Sequence, residues 1–158
     1  MGAWKNAAIK LIVTVSILGT LPWAQPALPQ EPDEALLTAA ERGHGKAVAD
    51  LIESGSSVEA RRKGEGSTPL MLACAKGHTE VIKALLDKGA DVNARNINGW
   101  TALMAAAAND HLDAVKLLLD RGADVNSRHT YGYTALKLAK QKKLKRIEDL
   151  LTKSGANQ

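Results

Sequence analysis

The sequence predicts an all-helical fold made by stacking copies of one helix pair. Three observations lead there: landmarks recur every 33 residues, apolar residues inside each copy fall at helical spacing, and glycines punctuate each copy at fixed points. Thr68, Thr101 and Thr134 stand 33 apart, and Gly89, Gly122 and Gly155 keep the same interval. A single helix pair is too small to bury its apolar face, so roughly three or more copies must stack to form a continuous core.

The first segment is unlike the rest. Met1 to Lys10 carries Lys5 and Lys10 and no acid, and Leu11 to Leu21 is an unbroken run of apolar, Gly, Ser and Thr residues. That is the plan of a signal peptide, and the run is shorter than the about 20 apolar residues a membrane span needs. Residues 1–24 are therefore expected to be a signal peptide cut after Ala24, with Ala27 as a second small-residue point; Pro22 and Gln25 keep either from being a clean A-x-A site. An uncleaved leader holding the chain in an inner membrane is the alternative. No cysteine lies near the run, which excludes a lipoprotein anchor. Residues 25–32, rich in proline, read as a linker without fixed structure.

The repeat region, 33–158, divides into 33–63, 64–96, 97–129 and 130–158. In the first copy, Leu36, Ala39, Gly43-His44, Leu51-Ile52 and Gly55 stand 34 before Leu70, Ala73, Gly77-His78, Leu85-Leu86 and Gly89, so one residue is inserted between about Arg62 and Gly66. In the second, Thr68 suits an N-cap and Pro69 the first helical position, Leu70, Ala73 and Cys74 form a short apolar face, and Gly77 supplies a left-handed stop. Val81, Ile82, Leu85 and Leu86 then make one stripe of a second helix, as Ala114, Val115, Leu118 and Leu119 do in the third copy. Asp110 replaces the mid-repeat glycine there, and Asp tolerates the left-handed region better than most residues. Outer copies look like caps: Ser56-Ser57 replaces Ala-Asp in the first, and Lys143-Leu144 replaces Gly-His in the last. Alanines 39, 40, 73, 105, 106, 107 and 139 would let the inner helices lie close together.

A period of 33 carrying T-P-L-x-x-A, a G-H turn and G-A-D-V-N resembles the ankyrin repeat over the whole chain beyond its first 32 residues. The resemblance implies an all-α ankyrin repeat solenoid of about four helix-turn-helix repeats with β-turn fingers, a non-catalytic scaffold that grips another protein through its fingers and the concave face of its inner helices. The histidine that follows T-P-L in relatives is absent, Thr38, Met71, Met104 and Lys137 standing in its place, so the inter-repeat hydrogen bonding it gives them is not expected here. Carried over position by position, the partner-binding residues are Arg62, Glu65, Ser67, Ala75 and Lys76 in the second copy. The third gives Arg95, Ile97, Asn98, Trp100, Ala108 and Asn109, and the fourth Arg128, Thr130, Tyr131, Tyr133, Gln141 and Lys142. Aromatic residues and arginine dominate interface energetics, which makes Trp100, Tyr131, Tyr133, Arg95 and Arg128 the expected anchors. There is no Phe, and these three are the only aromatics beyond the leader, none of them at a core position of the repeat.

Other functions find little support. The chain has no Gly-Lys-Ser/Thr loop, G-x-S-x-G, H-E-x-x-H or paired cysteines, so neither an enzyme, a cofactor nor a metal is expected. His44, His78 and His111 share one repeat position, His129 is a lone loop residue, and Cys74 reads as a small core residue. Taking Lys5 and Lys10 from 21 basic residues leaves 19 against 17 acidic ones, a weak charge that does not suggest nucleic acid. From Thr130 onward, however, seven basic residues face only Glu148 and Asp149. Lysines there keep a terminal repeat soluble; the other readings of the cluster are a site for an acidic partner, anionic lipid or nucleic acid, and the alternative function is a membrane-anchored structural or chaperone-like module held by an uncleaved leader and this basic repeat. The expected protein is a monomer exported to the bacterial periplasm or secreted.

Overall fold

The computed structural model describes residues 31–157, so the expected signal peptide and most of the expected linker lie outside the described residues. Among the described residues eight helices follow one another in pairs: α1 (Pro32–Arg42) and α2 (Gly45–Glu53), α3 (Pro69–Lys76) and α4 (Thr79–Asp87), α5 (Ala102–Ala108) and α6 (Leu112–Asp120), α7 (Ala135–Gln141) and α8 (Lys145–Lys153). The first helices of successive pairs pack as one layer, α1 on α3 on α5 on α7, and the second helices form the other, α2 on α4 on α6 on α8. No strand occurs among the described residues.

Each helix start follows from local chemistry. The buried hydroxyls of Thr68, Thr101 and Thr134 accept from the amides of Met71, Met104 and Lys137 at 3.3, 3.3 and 3.2 Å, satisfying donors that the helix itself leaves free. The first copy has no such threonine. Its helix starts instead at Pro32, the last residue of what the sequence suggests is linker, with Asp33 and Glu34 in the first turn where the helix dipole favours acids. Asp33 also accepts from the Ser57 amide at 2.8 Å, and Ser56 donates to the Pro32 carbonyl at 3.1 Å, so the serines of the first copy tie its ends together.

The core is aliphatic and runs unbroken through all four pairs. Val81, Ile82 and Leu85 are buried on α4 with Leu86 at the margin, and Ala114, Val115 and Leu118 repeat this on α6 with Leu119 at the margin. All seven residues of α5 are buried, six of them Ala or Leu, which allows α3 and α7 to approach from both sides. Cys74 is wholly buried, and burial pushes its thiol well above the ordinary range, leaving it a core residue without reactive thiolate.

The turn between the two helices of a pair carries the most specific packing. Gly43 and Gly77 adopt φ of +77° and +72°, and a Cβ on either would lie 2.7 or 2.5 Å from the ring of His78 or His111 in the next copy. Each ring lies over the preceding glycine while its Nε2 contacts a carbonyl of that turn, Glu41 for His78 at 3.0 Å and Ala75 for His111 at 3.1 Å. Inter-repeat hydrogen bonding therefore comes from the histidine of the G-H turn rather than from the one missing after T-P-L. At the third junction both members change: Asp110 takes the left-handed position with φ of 61°, Leu144 replaces the histidine, and Lys142 donates through Nζ to the equivalent carbonyl, Ala108, at 2.6 Å.

Candidate functional site

The loops between pairs form three successive fingers, closed by the same bonds. Arg62 donates to the Ser67 carbonyl, Asn96 to Trp100 and His129 to Tyr133, at 3.0, 3.0 and 2.8 Å, and the extra residue of the first finger lies inside that loop. Gly66, Gly99 and Gly132 share φ of 71°, 75° and 75°. The fingers are stitched in register. The Ile97 amide donates to the Glu65 carbonyl at 3.2 Å, and the Thr130 amide to Asn98 at 2.9 Å, joined there by the Thr130 hydroxyl. Arginines run alongside: Arg61 donates to the Arg95 carbonyl at 2.9 Å and Arg95 to the Arg128 carbonyl at 2.5 Å. At the finger bases, Asn93 accepts from the Asp124 amide and Asn126 from the Asn157 amide, a place taken by Glu59 toward Asp91 in the first copy.

The aromatic residues divide into two groups. Trp100 is half-buried, packs against the core and meets the ring of His129 edge-on at 5.2 Å. The next finger thus supplies a ring beside Trp100, whose side chain stays partly exposed. His129 is not a lone loop residue either. Its ring lies 5.4 Å from Tyr131 and 6.3 Å from Tyr133, and its Nδ1 accepts from the Tyr131 amide at 3.2 Å. Outside this support, Ile97, Tyr131 and Tyr133 remain 70, 81 and 40% exposed on consecutive fingertips. Large apolar side chains gathered on a projecting surface mark a contact site more readily than singly scattered ones.

Between the fingers and the inner helices lies a groove of about 280 Å³ with Met71, Leu72, Ala75 and Ala105 as its floor and Trp100 at its side. In the first finger Arg62 forms a 2.6 Å ion pair with Glu41 of α1, and this hydrogen bond holds the Glu41 carboxyl below its ordinary range against the opposing effect of burial.

The family of the fold follows from a comparison with known proteins. A family model of ankyrin repeats, three copies long, matches residues 6–96, 36–129 and 94–158, which together span nearly the whole chain. The chain belongs to the ankyrin repeat family. A search of curated proteins finds no match. Ankyrin repeats generally mediate protein–protein interaction, and their domains are typically non-catalytic.

Within this ankyrin array, several residues that the sequence assigns to binding are engaged internally. Arg62 holds Glu41, Arg95 holds the next finger, and Asn109 donates to the Ala105 carbonyl of its own helix at 2.8 Å. Ser67 is buried, Thr130 bonds Asn98 and Lys142 bonds Ala108. Glu65 is exposed on the first finger, 3.8 Å from Arg62. Lys76, Ile97, Asn98, Arg128, Tyr131 and Tyr133 are exposed, and their side chains make no hydrogen bond or ion pair among the described residues. Sequence reasoning gave no part in the site to Glu41, Arg61, His129 or the floor residues Met71 and Leu72. The intervals of 34 and 33 that relate Arg61, Arg95 and Arg128 are the signal that would have marked a ladder.

Proposed function

We propose that the chain is a non-catalytic adaptor, exported to the bacterial envelope, that binds a partner protein through its fingertips and the adjoining inner-helix groove. The observation that carries this reading is the row of exposed apolar side chains, Ile97, Tyr131 and Tyr133, on fingers that are otherwise closed by their own hydrogen bonds. A rigid loop presenting aromatic rings loses little conformational entropy on binding, which is why such rings serve as anchors. What supports export is the basic, then apolar, pattern of residues 1–24, and the periplasm or the medium is the corresponding location.

The test is affinity capture from an envelope extract of the native host with the wild-type chain beside an Ile97→Ser, Tyr131→Ala, Tyr133→Ala variant. A protein kept by the wild type and lost by the variant supports the adaptor; identical capture by both contradicts the fingertip surface. Fractionation of the host before and after a salt wash tests the location. A processed adaptor stays in the soluble fraction, whereas a chain anchored by its leader resists the wash.

A further inference from the structure

Each finger does the same two things for the one after it. Its carbonyl at the Glu65 or Asn98 position accepts the next finger's amide, and its arginine, Arg61 or Arg95, donates to the next finger's backbone. The fourth copy's finger has the same closure and the same glycine conformation, so Tyr131 and Arg128 occupy the next places in the ladder. Among the described residues neither the Tyr131 carbonyl nor the Arg128 guanidinium has a partner.

The surroundings of that edge are positively charged. Lys137 is held beside the fingertip by its 3.3 Å bond to the Gly132 carbonyl, and Lys140 follows one turn along α7. From Thr130 onward the only acids are Glu148 and Asp149, and both pair with Lys145 on α8. Arg128, Lys137 and Lys140 therefore face solvent with no carboxylate from the described residues.

We propose that the fourth copy's finger, whose Tyr131 carbonyl and Arg128 guanidinium are unpartnered among the described residues, docks an extended acidic segment of a partner protein, whose amide extends the ladder at Tyr131 and whose carboxylates meet Arg128 and Lys137. The proposal rests on the adaptor reading and names the partner's chemistry. An unpaired backbone edge is a template for one more strand-like segment, with main-chain bonds giving affinity and side chains giving specificity. Arginine is suited to a carboxylate because its planar fork donates two parallel bonds. Tyr131 and Tyr133 flank the edge and favour an apolar side chain beside the acids.

The experiment is selection of short linear peptides from a random-sequence display library on the full chain. The enriched peptides are expected to be acidic with an apolar residue among the acids. Their affinity should fall about tenfold or more in Arg128→Ala, and by a similar factor when one peptide amide is N-methylated, while Lys83→Ala, on the exposed face of α4, leaves it unchanged. Enrichment of neutral or basic peptides, acidic peptides indifferent to Arg128→Ala, or N-methylation without effect at every position overturns the proposal. So does binding to phosphatidylglycerol vesicles with no peptide enriched. Peptides lost instead on Met71→Lys, in the groove, overturn the edge and leave the adaptor standing, whereas the adaptor itself fails only in the envelope capture.

Discussion

The first two junctions of the array and the third hold the same backbone carbonyl by different chemistry. At Gly43 and Gly77 a histidine ring from the next copy covers the turn and contacts a carbonyl two residues before the glycine. At Asp110 there is no ring, and the Lys142 ammonium reaches that carbonyl from the neighbouring copy. The difference separates two demands on the turn. All three positions need a left-handed backbone, but only the first two need the absence of a side chain. That is why a glycine is replaced one copy earlier than its histidine: Asp110 faces the copy in which Leu144 stands, and Lys143, in the last copy, has no described copy after it.

The largest effect that would break this comparison is expected at Gly77→Ala. The substitution meets both a φ of +72° and a ring 2.5 Å away, and a loss of about 3 kcal/mol in urea unfolding is expected. Adding His111→Leu should recover part of the loss, with a coupling of about 1 kcal/mol, because the pair then resembles the third junction. Additive effects would mean that the ring does not set the requirement. Next in size is Lys142→Ala, which leaves the Ala108 carbonyl without its charged donor; a loss of about 1.5 kcal/mol is expected by the same measurement. No loss would show that the third junction needs no such bond.

Smaller still, Asp110→Gly should stabilise the chain by about 0.5 kcal/mol, since φ of 61° strains Asp and not Gly. An effect of about the same size concerns Glu41, whose carboxyl is held below its ordinary range by the Arg62 hydrogen bond. A depressed carboxyl adds stability that is present above the ordinary carboxylate range and is lost as pH falls through the folded value. Glu41→Gln is therefore expected to lower stability by about 0.5 kcal/mol at neutral pH, and the gap to close in acid; solvent screening at this partly exposed pair keeps the effect small. A gap that persists in acid would point to packing rather than charge.

The parts of the fold legible in the sequence are the local ones. Thr68, Thr101 and Thr134 as caps, the left-handed Gly77, and the stripes of α4 and α6 each depend on neighbours within a few residues, and periodicity exposes them. The binding surface is less legible because its members compete with contacts one whole repeat away. Trp100 is large and lies in a turn, yet His129 from the next finger meets its ring edge-on; Arg95 has the composition of an anchor, yet its guanidinium holds the Arg128 backbone. Tyr131 and Arg128 escape this because they belong to the last finger described. A side chain's type therefore shows what it is able to bind, and the stacking decides whether that capacity is left free.

The most direct measurement places a photo-crosslinking amino acid at Tyr131 and, in a separate chain, at Lys83 on the exposed face of α4, each expressed in the native host. A discrete crosslinked protein is expected from position 131 and none from position 83. A partner crosslinked from position 83 alone would contradict the fingertip surface and move binding to the outer helices.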